Sequence, residues 1–238
     1  MSGMQFSVGP RHDPIVKGSP EALVALLHDR GDSAQTLAPI AERWAATVPT
    51  TAFIALDEIE AAEPPHSSGA PQAMRDVRGA PEPTGAEPTG LDRAARQLGP
   101  LLKQQLRSRR LDAGRLVLVG FGHGGTLVLN MVLRQGWSCA GVLAFAATLV
   151  RPLPRLLRLG HKIRLIECVG DGPSGHSSVR EAVALLTARG IDARGAVLAG
   201  SMLSDAAIRH GGAYLVELVA TAQRGDRFNL DRESSHAS

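Results

Sequence analysis

Leu116-Val117-Leu118-Val119-Gly120-Phe121-Gly122-His123-Gly124-Gly125-Thr126 is the stretch that decides the fold. Four uncharged branched residues in a row suit a buried strand. The glycines that follow allow a tight reversal. Thr126 to Arg134 then has the apolar content of a packed helix. Two strand–turn–helix motifs fit this pattern. G-x-G-x-x-G is the dinucleotide fingerprint, whose first helix must be followed about 20 residues later by an acidic residue for the ribose. From Ala113 to Ile166 there is no Asp or Glu, and the motif sits mid-chain rather than on a first strand. The other motif is G-x-nucleophile-x-G, a bend that lifts one side chain above the end of a sheet. Gly120 and Gly124 fill its flanking positions, and Gly122 falls on the nucleophile itself.

Working outward, strands and helices alternate on both sides of this bend. Ala22 to His28, Ala52 to Leu56, Gly141 to Phe145, Ile163 to Val169 and Ala193 to Leu198 read as short strands. Ser33 to Thr47, Asp92 to about Arg110, Ser177 to Arg189 and Ser204 to Gln223 have helical spacing, with Gly190 closing the third. Such alternation specifies a mainly parallel sheet with helices on both faces, an α/β fold in one domain over residues 1–225. Residues 57–90 break the pattern with Pro64, Pro65, Pro71, Pro81, Pro83 and Pro88 and the quasi-repeat PEPTG-AEPTG, and are expected to form a loop or lid. Residues 226–238 are polar and are expected to be an irregular tail. In parallel sheets the functional groups gather on loops at the carboxyl ends of the strands.

Composition narrows the field. A hydrophobic fraction of 44% over 238 residues is enough for a core without disulfides or a structural metal. The two cysteines, Cys139 and Cys168, cannot build a CxxC site. A net charge of +3 and an aromatic fraction of 3% argue against a nucleic-acid partner. Only Lys17, Lys103 and Lys162 are lysine, so arginine supplies almost all the basic charge. No secretory signal pattern or long uncharged apolar run is present, so a cytoplasmic location is expected, with no cofactor and no metal.

LVLVGFGHGG with its helix, ALVALLHDRGDS upstream and IECVGD downstream resemble the carboxylesterase/phospholipase family of α/β-hydrolases, the acyl-protein-thioesterase-like group. The resemblance runs from about Ala22 to Gln223, apart from the proline-rich segment. It implies an α/β-hydrolase fold and hydrolysis of short acyl esters or thioesters. It also implies roles for particular positions. Gly122 stands where the family has its serine, and without a hydroxyl no acyl-enzyme forms there. Asp171 matches the family's acid. The family's histidine falls near Met202. His28 matches the histidine of the family's His-Gly oxyanion segment, but Asp29 replaces the glycine, and a carboxylate beside an oxyanion hole opposes developing negative charge. Phe121 and His123 border the same region. The resemblance therefore implies carboxylesterase ancestry with the usual serine and histidine missing.

Several groups offer substitutes for the lost serine. His123, next to the elbow position, is read either as an anion-binding or basic group or as a helix-start residue. His176, in the DGPSGH turn, either faces the same crevice or is solvated. Ser201 has no evident base, and Cys139 and Cys168 read as core. Asp171 without a histidine reads as a turn or helix-capping residue as well as a family acid. The acid-free span also carries Arg115, Arg134, Arg151, Arg155, Arg158, Lys162 and Arg164, and in RPLPRLLRLGHKIR arginine alternates with leucine. Three functions follow as expectations. The first is a catalytically impaired family member that binds a small acyl ester-like ligand or regulates another protein. The second is a hydrolase with an unconventional nucleophile. The third is a module that uses Arg151, Arg155 and Arg158 to hold anionic lipid or an acidic protein.

Overall fold

A computed structural model describes residues 5–59, 90–154, 160–170 and 179–234. Within them, seven strands form one sheet: β1 (Gln5–His12), β2 (Ala22–Leu27), β3 (Thr51–Ile59), β4 (Leu116–Phe121), β5 (Gly141–Phe145), β6 (Lys162–Val169) and β7 (Asp192–Ala199). The strand order is β1-β3-β2-β4-β5-β6-β7, with all pairings parallel except the antiparallel β1–β3 edge. The helices are α1 (Ala38–Ala45), α2 (Gly90–Ser108), α3 (His123–Leu133), α4 (Val179–Thr187) and α5 (Asp205–Ser234). No helix among the described residues is long and apolar enough to cross a membrane.

The parallel strands are buried on both faces, and period-2 alternation sorts their side chains into two cores. Leu23, Ala25, Leu27, Leu116 and Leu118 meet Leu98, Leu102, Leu127, Met131 and Leu186, from α2, α3 and α4. Val24, Leu26, Val117, Val119 and Phe121 meet Ile40 and Trp44 of α1 and Ile208, Leu215 and Leu218 of α5.

The six parallel strands fall where the apolar runs predict them. Strand β1 is the difference. Gly9, Pro10 and Arg11 break its alternation, and its register slips between Val8 and Arg11. Proline and charge on an irregular strand are edge features. Three boundaries also move. β3 continues through Asp57 and Glu58 to Ile59, and α2 begins at Gly90, so the expected loop of 57–90 is trimmed at both ends. Residues 60–89 lie outside the described residues. Helix α5 runs to Ser234, so the chain beyond Asp226, expected to be irregular, stays helical almost to its end.

Candidate functional site at the carboxyl ends of β2 and β4

From β2 the chain passes through α1 to β3 on one side of the sheet, then returns through α2 to β4 on the other side. This reversal makes the carboxyl ends of β2 and β4 the switch point of the sheet, the place where open α/β sheets bind ligands. The β2–β4 register pairs Leu27 with Gly120. Two residues further on, the chain places Asp29 beside Gly122.

The turn after β4 is a true elbow. Gly122 has φ 50° and ψ −112° and is the N-cap of α3. This is a conformation that a residue with a side chain enters only under strain, and glycine enters it freely. Gly122 N–H donates to Phe145 O at 2.8 Å, and Gly122 O accepts from Thr126 N at 3.1 Å and from Thr126 Oγ1 at 3.2 Å. Gly124 lets the helix start approach β2, because a Cβ there would lie 2.5 Å from His28 O. Helix α3 begins at His123, three residues earlier than its apolar pattern predicts, since the glycines are already helical.

The space above Gly122 is filled. A Cβ at this position would lie 2.5 Å from Asp29 Oδ2 and would overlap Asp29 Cγ and Oδ1. Asp29 Oδ1 accepts two main-chain hydrogen bonds, from His123 N at 2.7 Å and from Arg30 N at 2.8 Å. Among the described residues no hydrogen-bond donor reaches Oδ2. In acyl-transfer enzymes, main-chain N–H groups placed beside the nucleophile in this way stabilise the oxyanion. At this elbow the two N–H groups hold the Asp29 carboxylate.

The surrounding residues hold Asp29 in position. The His28 side chain is 8% exposed, its Nδ1 donates to Asp29 O at 2.7 Å, and its Nε2 lies 3.6 Å from Asp57 Oδ1. Asp57 in turn accepts from Ala34 N at 2.7 Å. His28 is thus a positioning group. His123 is half-buried, and burial first and Arg30 second push its imidazole below the ordinary histidine value. Phe121, expected at the pocket, points away from it. Its side chain is 1% exposed and its ring stacks on Phe145 at 4.5 Å, inside the α1–α5 core.

The remaining candidates are scattered. Met202 sits between β7 and α5, half-buried against the α1–α5 core. Ser201 is exposed, and its Oγ accepts from Leu203 N at 3.1 Å. Asp171, His176, Arg155 and Arg158 lie outside the described residues. Cys139 is buried, with its thiol pushed up to about 12 by burial. Cys168 is half-buried and its thiol is also raised by burial. It lines an apolar cleft of about 270 Å³ with Leu129, Ala144, Ala147, Leu149 and Leu165. A Cβ on Gly125 of the elbow would lie 2.8 Å from Ala147 Cβ, so this cleft adjoins the elbow helix.

The described basic residues of the span differ in their surroundings. Arg151 is exposed. Arg164, read from sequence as part of that surface, has 0% side-chain exposure. Its guanidinium donates to Glu217 Oε1 at 2.7 Å, to Glu217 Oε2 at 3.0 Å and to Asp192 Oδ1 at 3.0 Å. Lys162 lies 3.5 Å from Glu217 Oε1. The Arg164 hydrogen bond pulls the Glu217 carboxyl down to about 2. Arg134 donates to Pro152 O at 2.9 Å.

Solved structures reproduce the whole architecture. Esterase PE8 superposes with a TM-score of 0.66 at 23% identity, covering 91% of this chain and 99% of its own. A Bacillus cereus carboxylesterase gives 0.61 at 14% identity, covering 90% and 94%. A phospholipase/carboxylesterase from Dyadobacter fermentans gives 0.58 at 18%, covering 90% and 97%. At these identities the likeness establishes the fold. The sequence matches no curated protein at a significant level. The family model for phospholipase/carboxylesterase matches residues 15–159, more than half of the chain and including the elbow. With an α/β-hydrolase sheet, a nucleophile elbow at its switch point and this match, the chain belongs to the phospholipase/carboxylesterase family.

Proposed function

We propose that this chain is a family member that has left acyl-transfer chemistry and works by binding. One observation carries the reading: residue 122 keeps the backbone of the nucleophile bend and has no side chain. Acyl transfer at an elbow requires an oxygen or sulfur there, activated by a neighbouring base. The family's histidine position falls near Met202, whose thioether cannot take a proton. Strain explains how the fold persists without the chemistry. A serine in this bend costs on the order of 1–3 kcal/mol, and glycine avoids that cost.

The apolar cleft beside α3 supports a binding role. Its lining of leucine and alanine, with Glu167 and Cys168 at one side, suits a small apolar or acyl ester-like ligand. The test is a fluorophosphonate probe, which labels activated serines, run beside p-nitrophenyl acetate hydrolysis. The expected result is no label and no hydrolysis above a protein-free blank. Stoichiometric labelling of the wild-type chain would refute the proposal.

A further inference from the structure

We propose that Asp29 is a built-in occupant of the oxyanion hole, and that Asp29 and Gly122 form an interlock in which the carboxylate leaves room only for glycine at 122. Three observations carry it. The register of β2 on β4 puts the two residues side by side. The Asp29 carboxylate takes both main-chain donors of the hole, His123 N at 2.7 Å and Arg30 N at 2.8 Å. The volume that any side chain at 122 needs is the volume that this carboxylate fills. The donors belong to the start of an eleven-residue helix and to the strand-end turn, so they suit negative charge. A tethered carboxylate meets that demand at high effective concentration and keeps free carboxylates out.

The interlock goes beyond the absence of a hydroxyl. It implies that reinstating serine alone fails, because the serine side chain and the Asp29 carboxylate compete for one space. It also implies that the hole remains intact beneath its occupant and takes a small carboxylate once the tether is shortened. The proposal shares its site with the reading of an idle elbow. Its tests read stability and anion binding rather than turnover, so the two can fail separately.

The first experiment is a cycle of thermal melts on wild type, Gly122→Ser, Asp29→Gly and the double variant. Gly122→Ser is expected to lower Tm by about 5 °C or more in the wild-type background. In the Asp29→Gly background the same change is expected to cost less, leaving only the strain of a side chain in this bend. Equal costs in the two backgrounds would overturn the interlock. The second experiment titrates acetate against a chloride control and follows the amide resonances of Arg30 and His123. Asp29→Gly is expected to show a saturable acetate shift at both amides, and wild type none over the same range. Equal responses in both proteins, or an equal shift with chloride, would overturn the proposal. If Asp29→Gly does not fold, Asp29→Ala replaces it in both experiments, since its methyl group carries no atom at the Cγ position and no acceptor for the two amides.

Discussion

Two charged side chains lie at opposite ends of the sheet, Asp29 half-buried and Arg164 fully buried, and they are satisfied in different ways. Asp29, at the carboxyl ends of β2 and β4, is held by main-chain N–H groups. Arg164, near the amino end of β6, is held mainly by the side chains of Glu217 and Asp192, with the carbonyls of Ile163 and Asp192 adding contacts at 3.0 Å and 2.9 Å. Main-chain donors are fixed by the fold and remain whatever side chain approaches them. A side-chain network collapses when one member is removed. Position 29 is therefore a place where the side chain can change at modest cost, and the Arg164 cluster is not. The loss of acyl-transfer chemistry that we propose lies at the end of the sheet that Asp29 occupies.

The largest expected effect tests the intolerant end. Glu217→Ala leaves the fully buried guanidinium with Asp192 as its remaining carboxylate and should cost about 3–5 kcal/mol in urea unfolding. Arg164→Met should cost less, because Glu217 is 27% exposed and keeps Lys162 at 3.5 Å. If Arg164→Met proves the more damaging change, the cluster is not organised around a buried cation.

Acid comes next. The Glu217 carboxyl is drawn from its ordinary 4.5 down to about 2, first by the Arg164 hydrogen bond. A depressed carboxyl stabilises the folded state above its unfolded value, and that stability disappears as pH falls through the folded value. Stability should therefore decline between about pH 5 and pH 2, by an amount on the order of 2–3 kcal/mol. Glu217→Gln should flatten that part of the profile. An unchanged slope would remove Glu217 as its source.

The tolerant end gives smaller numbers. Asp29→Ala removes the carboxylate that accepts from His123 N at the start of α3, and should cost about 1–2 kcal/mol by chemical denaturation. A loss as large as that of Glu217→Ala would erase the contrast between the two ends. The smallest effect is a titration shift. The Asp29 carboxylate raises the His123 imidazole against the downward push of burial and Arg30. In Asp29→Asn, NMR titration should place His123 lower than in wild type. A rise would mean that the two groups do not face each other.

Much of this molecule is written locally. Val117, Leu118 and Val119 before Gly120 announce a buried strand and its turn, because covalent neighbours determine both. The six parallel strands were legible for the same reason. Strand β1 was not, since Gly9 and Pro10 hide an edge pairing whose partners lie far along the chain at β3. Arg164 read as surface because a charged residue in KIRLIECV carries no mark of the carboxylates that meet it from β7 and α5. In the same way, Asp29 was legible as a carboxylate near the elbow, but its hydrogen bond from His123 N was not.

By itself the sequence determined an α/β sheet, a strand–elbow–helix and the absence of a nucleophile at residue 122, because each depends on residue type within a few positions. The tertiary structure decided where Asp29 goes. Asp29 and His123 are 94 positions apart, and only the register of β2 on β4 brings that carboxylate to the two amides. Hydrogen bonds of this kind form between chain segments that the fold brings together, and no local pattern of residues encodes which segments meet.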